Sequence, residues 1–275
     1  MLAAALAAFP LHHADTPLGR LAYRCAGTGA PLVLLHGIGS GSASWLRQLQ
    51  GLSDRCTVLA WDAPGYGESS PLPQASPTAS DYAVHLWAWL DAIGVDRIHL
   101  VGHSLGALMA GAAARLAPAR VVRLTLLAPA GGYGKADAAV RESKLRDRLA
   151  NLESLGPAGM AEKRGAAMLS PRASPEQVTF IKSVMAQVDP AGYAQAARML
   201  CNGDLAGDLD VILGASHCPI VVASGSLDGV TPPAACAAVA TAARTVLHDL
   251  GPAGHACPLE AADAVNHLLA TGDAS

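Results

Sequence analysis

The stretch "VGHSLGALMA", residues 101–110, joins two patterns that belong to different kinds of backbone. Before it, Ile98–Val101 is a short apolar run with the length and composition of a buried strand. After it, Leu105–Leu116 reads as a helix, rich in alanine and stopped before Pro118. Gly102, His103, Ser104, Leu105 and Gly106 lie at the junction and fit the G-x-S-x-G nucleophile elbow, which needs this context of strand before and helix after. The turn is so tight that a side chain on either flank would collide with neighbouring backbone, so glycine occupies both flanks. The serine hydroxyl is thereby pushed out above the sheet. The helix behind it points backbone N–H groups at any negative charge that develops there. The same five residues also describe a glycine-bracketed turn whose serine merely caps the helix. Catalysis therefore depends on partners elsewhere in the chain.

Outward from the elbow, short apolar runs alternate with longer helix-like segments, the pattern of a mostly parallel sheet covered by helices. The pattern predicts strands at 20–25, 32–35, 57–61, 98–101, 122–127, 220–223 and 245–247. It predicts helices at 82–93, 105–116, 234–243 and 259–269. From residue 133 to residue 217 the rhythm changes to consecutive helices with Pro and Gly breaks and no convincing strand. The alternation resumes at Pro219, so this stretch is expected to be an insertion, a helical cap over one edge of the sheet. The expected organisation is an α/β core in two parts, 1–132 and 218–275, with the cap at 133–217 between them.

Bulk properties exclude several classes. Half of the 275 residues are hydrophobic and the net charge is −3, so a large core is available and no nucleic-acid or anionic-membrane partner is indicated. No apolar run approaches the roughly 20 residues that span a bilayer. The start, "MLAAALAAFPLHHADTPLG", is apolar from Leu2 to Phe9 but has no basic n-region, and is read as a short extension rather than a cleaved signal. Six scattered cysteines without a C-x-x-C pair point to reduced thiols and a cytoplasmic setting.

Three further stretches supply partners for Ser104. "LVLLHGIGSGSASW" (32–45) puts His36, Gly37, Ile38 and Gly39 directly after an early strand, where the N–H of Ile38 can pair with that of Leu105 to hold an oxyanion. "WDAPGYGES" (61–69) is a sharp glycine- and proline-locked turn after the next strand, without chemistry of its own. "VVASGSLDGVTPP" ends a strand and supplies Asp228, and "LGPAGHACPLE" follows the last strand and supplies His255 in a glycine-rich loop. In the order Ser104, Asp228, His255, histidine takes the serine proton and later returns it to the leaving group. The aspartate fixes the imidazole tautomer. His248, at a strand end, and His267, inside the last helix, are poorer candidates for the base. No histidine spacing matches a metal site, and neither a metal nor a cofactor is expected.

With these motifs in register the chain resembles the α/β-hydrolase superfamily from Gly19 to Leu269. The resemblance implies an eight-stranded, mostly parallel sheet with a helical cap between strands six and seven. Serine at position 104 argues against the epoxide hydrolases and haloalkane dehalogenases of this fold, which carry aspartate there. In the cap, "DPAGYAQAARMLCNGDL" (189–205) followed by "DGVTPP" is similar to 3-oxoadipate enol-lactonases, although "HG" in the oxyanion loop and His103 in the elbow depart from that pattern. A small carboxylic ester or lactone is the expected substrate. Two alternatives remain: carbon–carbon bond hydrolysis of the meta-cleavage-product type, and a non-catalytic relative that binds a small ligand. "HGIGSGSASW" is reminiscent of the meta-cleavage group, but Ala256 stands where that group has an aromatic residue. Arg198 is the one candidate for a substrate-carboxylate clamp. The expected pocket comprises His36, Gly37, Trp45, His103, Met168 and Arg198, under a roof to which Met160, Met168, Met185 and Met199 contribute. The partner is a small-molecule substrate, and a homo-oligomer is compatible with the sequence.

Overall fold

The computed structural model describes residues 1–215 and 218–271. In chain order the elements are α1 (Leu2–Leu6), β1 (Leu11–Thr16), β2 (Gly19–Ala26), β3 (Pro31–Leu35), α2 (Leu46–Leu52), β4 (Thr57–Trp61), α3 (Ala79–Ala92), β5 (Ile98–His103), α4 (Leu105–Leu116) and β6 (Val121–Leu127). Four helices follow: α5 (Ala138–Arg164), α6 (Pro175–Met185), α7 (Pro190–Asn202) and α8 (Leu205–Ala215). The chain then forms β7 (Ile220–Ser224), α9 (Pro233–Ala242), β8 (Leu247–Asp249), α10 (Cys257–Glu260) and α11 (Ala262–Thr271).

The eight strands make one sheet in the order β1-β2-β4-β3-β5-β6-β7-β8, antiparallel at β1–β2 and β2–β4 and parallel from β4 onward. The central strands are apolar on both sides because helices cover both faces. On one face α3, α4 and α8 bury Leu86, Trp89, Leu108 and Leu209 against the sheet. On the other, α2 and α11 bury Leu49, Val265 and Leu268 against it. The helices begin where side chains satisfy their free N–H groups: Thr78 and Asp81 form a capping box at α3, and Ser174 and Gln177 form another at α6.

One strand was not expected from the sequence, and another lies elsewhere than expected. Residues 11–16 were not legible as a strand because LHHADT carries two histidines and an aspartate and buries only Ala14, as an edge strand does. The last strand lies at 247–249 rather than 245–247. Thr245 still closes the end of α9, with its N–H on the Ala240 carbonyl, after Arg244 takes a positive φ of 53°.

Between β6 and β7 the described residues form only helices. α5 consists of two segments that meet at Gly156, where φ is 61° and Pro157 follows. The expected cap span of 133–217 includes α8, whose Leu205, Leu209 and Ile212 belong to the core beside α4. Residues 216 and 217 of that span lie outside the described residues. Of the chain's start, α1 packs Leu2 beside Phe180 and Leu46. Cys25, Cys56, Cys201, Cys236 and Cys257 carry free thiols. No helix among the described residues is long and apolar enough to cross a membrane.

Candidate active site

The elbow forms where β5 ends and α4 begins. A Cβ on Gly102 would stand 2.4 Å from the Gly106 carbonyl oxygen, and one on Gly106 would stand 2.3 Å from that of Leu35. Neither position can hold a side chain. Ser104 sits between them at φ 53°, ψ −116°. For a residue with a Cβ this is a strained conformation, costing on the order of 1–3 kcal/mol. It is held by the Ser104 N–H on the Leu127 carbonyl, at 3.0 Å, and by two N–H groups on the Ser104 carbonyl, those of Ala107 at 3.0 Å and Ala130 at 3.1 Å. Leu105 follows as the first residue of α4, so its N–H has no carbonyl one turn earlier in the helix to bond.

The loop 36–39 passes directly over this turn: a Cβ on Gly37 would stand 3.0 Å from the Ser104 Cβ. His36 anchors the loop from beneath. Its Nδ1 pairs with the Gly37 carbonyl at 2.9 Å, and its Nε2 accepts the Ala63 N–H at 3.0 Å. Burial keeps His36 neutral by lowering its pKa. The 61–69 turn is thus the base on which the loop rests, and Asp62 adds bonds from the Ser42 N–H at 2.6 Å and the Ser42 hydroxyl at 3.0 Å.

Asp228 and His255 meet from the loops after β7 and β8. His255 Nδ1 lies 2.9 Å from Asp228 Oδ2, and both side chains are buried. Asp228 Oδ1 accepts the N–H groups of Val230 at 2.7 Å and Thr231 at 2.9 Å. Burial pushes the Asp228 pKa up, but the bonds from His255, Thr231 and Val230 outweigh it and hold the carboxyl below its usual value. The Asp228 carboxylate orients the His255 ring through Nδ1, which leaves Nε2 as the nitrogen free to take a proton. Ser104 and His255 line the same cavity, of about 450 Å³, together with Ile38, Leu105 and Met168.

The His255 loop is fixed on two sides. His103 Nε2 donates to the His255 carbonyl at 2.8 Å, with the two rings 4.9 Å apart. Burial, then the neighbouring His255, pushes the His103 pKa down to about 3, so this ring stays neutral beside the candidate base. From the cap side, the Ala256 N–H donates to the Met168 carbonyl at 2.7 Å. Glu260 ties both segments together: it accepts the N–H groups of Gly254 and Ser170, each at 2.9 Å, and the Ser170 hydroxyl. This turn of the Glu260 side chain accompanies a break at Ala261, so the single helix expected at 259–269 is two, α10 and α11.

Some expected pocket residues lie elsewhere. Trp45 is fully buried in the core, edge-on to His103, and does not line the cavity. His36 is equally buried and acts beneath the loop. Arg198, on α7, is not in the lining either; Arg148 and Arg164 of α5 are. Met168 lines the main cavity, and Gly37 and His103 line a small adjoining one. Of the expected roof methionines, Met160, Met168 and Met185 face the cavity, whereas Met199 packs into the core. His248 lies in β8 and His267 is exposed on α11.

Thr231 escaped the sequence reading. Its hydroxyl stands 2.8 Å from Asp228 Oδ2, 3.0 Å from the Ala128 carbonyl and 3.2 Å from His255 Nδ1. The available signal was local: Asp228 followed three positions later by a hydroxyl residue, ahead of Pro232, is an Asx-turn pattern. Glu260 had no local signal, because its partners lie 6 and 90 positions away.

Residues 30–262 match the family described as the alpha/beta hydrolase fold. The chain belongs to the α/β-hydrolase family. Among solved structures, a thermophilic esterase from Thermogutta terrifontis superposes with a TM-score of 0.83 at 26% identity, covering 95% of this chain and 97% of that one. The enol-lactonase from Burkholderia xenovorans superposes with a TM-score of 0.82 at 23% identity, covering 94% and 98%, and shows the shared fold. Among curated relatives, the dihydrolipoyllysine-residue acetyltransferase component of the acetoin cleaving system of Pseudomonas putida is 32% identical over 244 residues, 88% of this chain and 62% of that protein. The chain spans 33% and 62% of the length of the first curated relatives it matches.

Proposed function

We propose that the chain is a serine hydrolase that cleaves a small carboxylic ester or lactone through an acyl-enzyme on Ser104. The observation that carries this is the 2.9 Å contact of His255 with a buried, ionised Asp228, on a histidine that shares one cavity with a strained elbow serine. Similarity to the T. terrifontis esterase along nearly the whole chain agrees with it.

In this mechanism His255 Nε2 takes the Ser104 proton as Oγ attacks the acyl carbon. The oxyanion is held by the N–H groups of Ile38 and Leu105. His255 then protonates the departing alkoxide or enolate, and water attacks the acyl-enzyme by the same steps in reverse. Asp228 and the neutral His103 favour the transient imidazolium, the first by opposite charge and the second by carrying none.

Carbon–carbon hydrolysis is the second reading, and Arg148 and Arg164 give it a clamp that Arg198 does not. It still lacks an aromatic residue beside His255, where Ala256 stands. Steady-state kinetics with short-chain aryl esters, an enol-lactone and a 2-hydroxy-6-oxo-dienoate separates the two. Ester or lactone chemistry is expected to dominate. A kcat/KM higher for the dienoate by two orders of magnitude would reverse the choice. The absence of all turnover with an unlabelled Ser104 would favour a non-catalytic binding relative.

A further inference from the structure

The lining of the cavity over Ser104 holds two cations and no carboxylate. Arg148 and Arg164, both from α5, face it, and no aspartate or glutamate does. Among the described residues neither guanidinium forms an ion pair or donates a hydrogen bond. Some other arginines and lysines of this chain are paired: Arg115 with Asp208 at 2.6 Å, Arg120 with Asp91 at 2.8 Å, Lys182 with Glu162 at 2.6 Å. The last pair also engages Glu162, an acid close to Arg164 along the helix. Glu142, Asp147 and Glu153 of α5 are exposed to solvent. The Arg148 Nε is fully buried and has no hydrogen-bond partner. Eight other buried side-chain atoms among the described residues share that state, Arg24 Nε among them, but of the nine only Arg148 Nε belongs to a residue that lines this cavity.

We infer that the substrate carries a free carboxylate, held by Arg148 and Arg164 on the cap side of the cavity while its scissile carbonyl lies at Ser104. This rests on the serine-hydrolase reading and names its substrate class. The chemistry suits the side chains present. A guanidinium stays charged at any pH the protein meets, and its planar fork matches a carboxylate in two parallel bonds, which a lysine cannot do. The rest of the lining is largely apolar, with Met160, Met185 and Leu200, so the attraction acts in surroundings of low dielectric. A volume of about 450 Å³ fits a small acid with its ester or ring.

The test compares 4-nitrophenyl hydrogen adipate with 4-nitrophenyl hexanoate, which has the same acyl length but no carboxylate. The ratio of their kcat/KM values is measured in wild type, Arg148→Gln, Arg164→Gln and Arg148→Lys. Wild type is expected to prefer the adipate, and each glutamine variant to lower the ratio about tenfold, as expected for loss of a charge-assisted bond. Arg148→Lys should fall between. A wild-type ratio near one, or a ratio unchanged in both glutamine variants, overturns the inference. A measurement on wild type alone guards against misfolded variants: adipate should slow fluorophosphonate labelling of Ser104, while adipamide or inorganic phosphate at equal concentration should not. Equal protection by adipamide, or stronger protection by phosphate, also overturns it. If the probe labels no serine at position 104, the serine-hydrolase reading itself fails, whatever the ratio shows.

Discussion

Acidification should destabilise this protein through buried histidines well before its carboxylates titrate, and His103 offers the clearest way to measure it. Its folded pKa lies at about 3 because burial, and then the adjacent His255, disfavour the charged ring. An unfolded histidine titrates near 6.5. Between these values the unfolded chain binds a proton that the folded chain refuses, so stability falls as pH drops through 6.5 and levels off only below 3. From pH 7 to pH 5 this single ring should cost about 2 kcal/mol. His99, also near 3, and His36, also lowered, add losses of the same sign. The perturbation is His103→Gln, which retains a donor for the His255 carbonyl but does not titrate. Urea unfolding of both proteins at pH 7 and pH 5, followed by far-UV circular dichroism, gives two changes in stability. The variant should lose about 2 kcal/mol less than wild type over that interval. Equal losses would show that His103 is not held neutral by burial.

Asp228→Asn should lower kcat by about 10,000-fold with the fold intact, because the amide favours the wrong His255 tautomer; steady-state kinetics beside a thermal melt checks this. Thr231→Val removes a hydroxyl 2.8 Å from Asp228 Oδ2 and should reduce kcat about tenfold with little change in KM. Unchanged kcat would leave Thr231 a purely structural residue. Glu260→Ala strands the buried N–H groups of Ser170 and Gly254 and should cost about 1–3 kcal/mol each at most. Hydrogen exchange should then speed up at residues 168–170 and 254–256 together, and acceleration at only one segment would refute the link between them.

Most of the sheet could be read from the chain because its central strands are buried on both faces and so are continuous apolar runs, as in LVLL and IVVA. The edge was harder. β1 buries one residue in six, and nothing in LHHADT distinguishes it from a loop. The elbow was legible for a steric reason, since the tight turn around Ser104 leaves no room for a side chain at Gly102 or Gly106. Asp228 and His255 were found from their places after strands, a matter of chain order. The cavity wall was not legible in this way. Arg198 and Arg148 both look like solvated helix arginines, and only the packing of α5 and α7 decides which one faces inward. Trp45 was misplaced because proximity in sequence to the oxyanion loop does not say which way a ring turns, and the core takes it.

The central claim is that Ser104 is the nucleophile, and covalent labelling tests it most directly. A fluorophosphonate probe, followed by intact-mass and peptide mass spectrometry, should add one label per chain, located on Ser104. That label should be absent in Ser104→Ala and greatly slowed in a folded His255→Ala. Labelling undiminished in Ser104→Ala, or absent from folded wild type, would contradict the account.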